Sequence, residues 1–288
     1  MSVIPLQRTI ERSVTLMGYG LHGGRPTRVT LYPGEPCEGI CFRIVWQGKE
    51  KVIPALFPYA VLGPRCSVLQ HGEASVATVE HLLGACWVAG IDNLVVAVEG
   101  EELPAGDGSA LHWMEAFAEA GIREQQVPRR MFSIPRVFTV ASEGKYLFAF
   151  PALEFTVAYI LDGTLFGEFL QGLTLQEGEM LKTIAEARTF AFFWEGEALK
   201  QQGLGMGVRD KALLLDAFGF GGQPFRLPYE ACAHKVLDLL GDLMLLGVRV
   251  RGGFLGLRSG HALNHEMVRM LWEEMNDGDH RQNSACGP

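Results

Sequence analysis

Histidine and aspartate recur at helical spacing late in the chain: His234, Asp238 and Asp242 stand four residues apart, which places them on one face of an α-helix. Their neighbours include Val236, Leu237, Leu240 and Leu243, so the three make a polar stripe on an otherwise apolar helix. Two aspartates one turn apart repel, and a cation or a protonated histidine beside them relieves the cost. A histidine and an aspartate one turn apart can also ligate the same ion. The spacing equally serves a solvated helix face, and the stripe alone does not separate these readings.

A second pair shifts the balance. From Val76 to Gly90 the chain is mostly apolar, and Glu80 and His81 are its acidic and basic residues. Buried polar groups need partners, and this pair has none on its own helix. Glu80-His81 from one helix, with His234 and Asp238 from another, supply three metal ligands and a carboxylate free for proton work. That is the composition of a catalytic zinc site whose fourth position is left for water. His261, in the Gly-flanked segment "RSGHALN", has a ring that could reach the same cleft, although a loop or capping role fits it equally.

The elements that must carry these residues fall into two similar runs. The first opens with β-type segments, "RTIERSVTLMG", "TRVTLYP" and "GICFRIVW", broken by Gly and Pro clusters. It continues with the helix "SVATVEHLLGACWVAG" stopping at Gly90, the strand "NLVVAVEG" and the helix "LHWMEAFAEAG". The polar segment "IREQQVPRRMF" reads as a connection, with Arg129-Arg130 as solvated charge. The second run repeats the order: strands "KYLFAF" and "LEFTVAYI", a long helix ending at Gly247, the strand "VRVRGGFLGL" and the helix "LNHEMVRMLWEEM". The pattern predicts a duplicated α+β unit. Its domains are residues 1–125 and 130–276, with an insertion around 187–219 in the second and a disordered tail over 277–288.

Length and composition agree. A chain of 288 residues, 48% hydrophobic and 20% charged, supports two ordinary cores. A net charge of -8 argues against general affinity for nucleic acid or anionic membrane. No apolar run approaches a membrane span and the N-terminus lacks a signal-peptide core, which predicts a cytoplasmic protein. Cys37, Cys41, Cys66, Cys86, Cys232 and Cys286 form no regular framework and read as reduced thiols.

The blocks "QRTIERSVTLMGYGLHGG" (7–24), "TVEHLLGACWVAGIDN" (78–93), "DGSA" (107–110), "ARTFAF" (187–192), "HKVLDLLGDLMLLG" (234–247) and "SGHALN" (259–264) resemble, in this order, the LpxC family. These are the UDP-3-O-acyl-N-acetylglucosamine deacetylases of bacterial lipid A synthesis. The resemblance implies two similar domains, each a two-layer sandwich of sheet and helices, with the active site between them. It implies zinc on His81, His234 and Asp238, a ligand set that also suits Fe2+. It further implies Glu80 as general base, His261 as a second catalytic histidine and Asp242 as its acid partner. Thr189 would contact the reaction centre and Lys235 would bind substrate, with His22 nearby. The insertion, beginning with Phe190, Phe192, Phe193 and Trp194, would take the acyl chain of a UDP-linked amino sugar, although core packing is the plainer reading of such aromatics. A monomer is expected.

Three features depart from the family pattern: Ala191 after "ARTF", Val208 and Lys211 in "MGVRDKA", and the form of "LDGTLFGEF" (161–169). They keep open a zinc amidase acting on a different N-acyl sugar or nucleotide. A non-catalytic nucleotide-sugar binding protein is the third reading, and it leaves Glu80 and His261 without a reason to be paired.

Overall fold

The computed structural model describes residues 5–162, 170–176, 183–208, 211–216 and 223–279. The first half contains β1 (Leu6–Ile10), β2 (Val14–Tyr19), β3 (Pro26–Pro33), β4 (Ile40–Trp46), β5 (Lys49–Pro54), β6 (Ala60–Gly63), β7 (Cys66–His71) and β8 (Ala74–Ala77). Helix α1 (Glu80–Ala89), β9 (Leu94–Glu99) and helix α2 (Leu111–Ala120) follow. Five strands form one sheet in the order β2-β3-β9-β4-β5. Alternation sets its faces: in β3, Thr27, Val29 and Leu31 are buried while Arg28 and Tyr32 face outward. Central β9 is apolar almost throughout because it runs antiparallel to β3 and parallel to β4 beneath the helices.

The second half repeats this connectivity. After β10 (Ile122–Pro128) and β11 (Met131–Ser133) come β12 (Phe138–Ser142), β13 (Lys145–Phe150), β14 (Thr156–Asp162) and β15 (Leu170–Gln176). The insertion holds β16 (Phe190–Phe192), helix α3 (Gly196–Gln201) and β17 (Leu213–Leu215). Helix α4 (Glu230–Leu243), β18 (Arg249–Arg251), β19 (Gly253–Leu257) and helix α5 (His261–Asp279) complete it. The sheet order is β12-β13-β19-β14-β15, and its neighbours pair antiparallel, antiparallel, parallel and antiparallel, as in the first sheet. The fold is α+β, with helices laid on each sheet. No described helix is long and apolar enough to cross a membrane.

Three sequence expectations need correction. The polar segment taken as a connection is a strand: β10 pairs antiparallel with β1. Its polar residues are satisfied in place, Gln125 bonding both Asn93 and Gly34 O. Arg129 is not solvated charge, because its guanidinium binds the Asp92 carboxylate and Gly90 O. Finally, α5 starts at His261 itself and runs to Asp279, so the first residues of the expected disordered tail are helical. Positions 280–288, including Cys286, and most of the divergent 161–169 segment lie outside the described residues. Strands β6–β8, a three-stranded sheet in the slot equivalent to the insertion, went unread.

Helices α1 and α4 cross at the centre. Eight of the ten α1 residues are buried, and in α4 every residue but Lys235 is buried. Two glycines allow the approach. A Cβ at Gly241 would stand 2.1 Å from Glu80 O, and one at Gly84 would stand 2.9 Å from Leu237 O. The solvated-face reading of the histidine and aspartate stripe fails on this burial.

Candidate active site

The crossing brings His81 of α1 against His234 and Asp238 of α4. One ligand atom from each lies within 4.8 Å of the other two. The two imidazole rings meet edge to face with centroids 4.9 Å apart. Asp238 Oδ1 is 3.3 Å from His234 Nε2 and 3.7 Å from His81 Nε2, yet this buried oxygen has no hydrogen-bond partner. His234 Nδ1 lies 3.0 Å from Ala187 O, and an imidazole that donates there leaves its Nε2 lone pair free. Ala187 is held in turn by its neighbour Arg188, whose buried guanidinium grips Glu230 at the start of α4.

Charge states suit a cation. Burial, then the neighbouring His234, pushes His81 down to about 3, and burial also lowers His234. Both rings are therefore neutral bases near pH 7. Burial alone would raise Asp238, but Lys235, with Nζ 2.9 Å from Oδ2, holds it well below the usual carboxylate range. Two neutral imidazoles and an ionised carboxylate with an orphaned oxygen fit a divalent ion of the zinc or ferrous class.

Beside this triad Glu80 and His261 form a second pair of titratable groups. Burial, reinforced by Asp238 and Asp242, pushes Glu80 up to about 8, against the pull of nearby His261. Burial opposes a charge on His261, but the Asp242 carboxylate 2.8 Å from Nδ1 overcomes it and raises the ring to about 9. His261 Nε2 then faces Glu80 Oε1 at 3.7 Å and Asp238 Oδ2 at 3.9 Å. The turn placement expected for His261 is thus the first residue of α5.

These groups open onto a cavity of about 480 Å3. Thr189 and Phe190 line it, as do His22, Ala191, Val208 and Lys235. Thr189 is fixed through its backbone, N–H to Gly108 O at 2.7 Å; a Cβ on Gly108, whose φ is +90°, would crowd its methyl at 2.8 Å. Backbone N–H groups of His22 and Gly23 both donate to the Glu102 carboxylate. Lys211 binds Gly106 O at 3.2 Å. Of the aromatic run, Phe190 and Phe192 pack against the core, while Phe193 is 70% exposed and Trp194 stacks on Phe192.

Sequence reasoning missed several neighbours. Arg65, Lys145 and Arg258 also line the cavity, but each comes from a turn or strand end with no periodic signal. Ser67 and His265 bond to the Asp242 group; the spacing of His265 one helical turn after His261 was the available clue.

Comparison with known proteins agrees with the residue blocks. Residues 7–273 match the family LpxC, described as UDP-3-O-acyl N-acetylglycosamine deacetylase. A protein of that activity from Nitratidesulfovibrio vulgaris, named UDP-3-O-acyl-N-acetylglucosamine deacetylase, is 38% identical, covering 93% of this chain and 88% of its own. Relatives of the same name from Myxococcus xanthus and Coxiella burnetii are each 35% identical, over 93% and 92% of this chain and 87% and 89% of theirs. With the His81–His234–Asp238 cluster, the Glu80–His261 pair and the cavity they line, and with this match over nearly its full length, the chain belongs to the UDP-3-O-acyl N-acetylglycosamine deacetylase family.

Proposed function

We propose that the chain is a zinc-dependent amidase that hydrolyses the N-acetyl group of UDP-3-O-acyl-N-acetylglucosamine, releasing acetate, in cytoplasmic lipid A biosynthesis. The observation that carries the reading is the orphaned Asp238 oxygen between two neutral histidines, directly beside the Glu80–His261 pair. When bound by His81, His234 and Asp238, zinc (or Fe2+) supplies Lewis acidity to the acetamide carbonyl and acidity to the attacking water. Glu80, a carboxylate of raised basicity, accepts the water proton. His261, charged through Asp242, holds the developing oxyanion together with the Thr189 hydroxyl. The amine must take a proton as it departs, and Glu80 and His261 are the groups placed to deliver it. Lys235 and the apolar walls around Phe190 and His22 hold substrate. The active cleft belongs to two domains, residues 1–125 and 130–276, of which the second carries the insertion that takes the acyl chain.

The deciding experiment is acetate release from UDP-3-O-acyl-N-acetylglucosamine before and after chelation and zinc restoration. Activity should vanish with the metal and return with it; activity indifferent to chelator would sink the reading. A second reading, an amidase for another N-acyl sugar, is motivated by Ala191 and Val208 in the cavity wall. Side-by-side turnover of the two substrate classes separates them.

A further inference from the structure

A buried run of hydrogen bonds continues from the Asp242–His261 pair to Ser67 and His265, which the reaction above leaves without a task. Ser67, in β7, is 1% exposed. Its Oγ lies 2.5 Å from Asp242 Oδ1, 2.7 Å from His265 Nε2 and 3.4 Å from His261 Nδ1. A hydroxyl carries one proton and an ionised carboxylate only accepts, so the Ser67 proton goes to Oδ1. The lone pairs of Oγ then take a proton donated by His265, which must carry it on Nε2. The other carboxylate oxygen, Oδ2, accepts from His261 Nδ1 at 2.8 Å and from Asn264 Nδ2 at 2.9 Å. Both oxygens of Asp242 are therefore engaged and its plane is set. The backbone N–H of Ser67 also donates to Glu80 Oε2 at 3.0 Å. One first-half residue thus grips both Glu80 and the acid behind His261.

We infer that Ser67 and His265 are positioning residues which, through Asp242, hold the His261 proton on Nδ1 and aim Nε2 at Glu80 and the reacting centre. His265 stands one turn beyond His261 on the same face of α5, buried and outside the cavity lining, so it acts through Ser67 without touching substrate. The inference rests on the deacetylase reading for its kinetic arm only.

The test compares His265→Leu, which removes the donor, with His265→Gln, which keeps an amide N–H of similar reach, and with Ser67→Ala, which keeps the backbone bond to Glu80. In acetate release from UDP-3-O-acyl-N-acetylglucosamine, His265→Leu and Ser67→Ala should lower kcat roughly ten- to a hundred-fold, the usual cost of losing a group that orients a ligand or acid. KM, bound metal and Tm should stay at wild-type values, and His265→Gln should recover most of kcat. In 15N-histidine spectra of the metal-loaded full chain, the His261 Nδ1–H resonance, identified by its absence in His261→Ala, should move in His265→Leu and return in His265→Gln. An unchanged kcat in His265→Leu overturns the inference, as does a loss that follows Tm or metal content and that glutamine does not restore. A wild-type chain that releases no acetate would fail the deacetylase reading alone, leaving the spectroscopic arm to decide the role of His265.

Discussion

Asp238 and Glu80 are both buried carboxylates in one cavity, and their surroundings drive them in opposite directions. Lys235 keeps Asp238 ionised despite burial, whereas at Glu80 burial outweighs the His261 ring 3.7 Å from Oε1 and raises the carboxyl to about 8. In the proposed reaction the first holds a cation and the second accepts a proton. Asp238→Ala is therefore expected to lose bound metal and turnover together. Glu80→Ala should keep its metal and lose turnover by about a hundred- to ten-thousand-fold, the range for removing a general base. Metal content and acetate release measured on both variants check this; equal metal loss in the two contradicts the division of roles. The His234–Asp238 spacing was legible in the sequence because a helix enforces it. That Ser67 completes the same group was not, because a serine at a strand start has no period and its partners lie 175 and 198 residues away.

For the helices, the glycines decide. Alanine in place of glycine ordinarily favours a helix interior by about 1 kcal/mol. At Gly241 the added Cβ would lie 2.1 Å from the Glu80 carbonyl oxygen, and overpacking costs about 1–3 kcal/mol or displaces the helices. Gly241→Ala should therefore destabilise the chain in urea titration and weaken metal binding, the reverse of what propensity predicts; a gain in stability would show that α1 and α4 do not depend on that contact. Helix α1 was legible from apolar run and terminal Gly90, whose φ of +73° suits the stop. Strand β10 was not, since its polar residues find partners on β1 and Asn93 that only the tertiary fold supplies. Polar composition then reads as a connection.

Across the whole molecule, the repeat of strand and helix order was visible in the sequence, while the devices that lock the halves together were not. Arg249 of the second half sends its guanidinium to Cys86 O, Trp87 O and Ile91 O at the end of α1 and lies 3.5 Å from Asp92. Arg129, from the segment between the halves, pairs with the same aspartate at 2.9 Å. Arg249→Met would take one donor from each of three buried carbonyls, of which Cys86 O and Trp87 O keep the backbone N–H groups of Ile91 and Gly90, and would leave Asp92 to Arg129, a loss of about 1.5–3 kcal/mol. Thermal unfolding should show that drop; a stability within 1 kcal/mol of wild type, about the scatter of surface substitutions, would assign the seam to apolar packing alone.

The triad draws one ligand from the first half and two from the second, so no half by itself can chelate the ion with three groups. Whatever binds there is a cross-link whose strength is set by concentration. Linkage then adds about 2.7 kcal/mol of folding free energy when free metal reaches a hundred times its dissociation constant. Tm should climb with added zinc and fall with chelator even in Glu80→Ala, where chemistry has stopped. The three side chains proposed to serve catalysis would then also make metal supply a control on how long the folded chain survives.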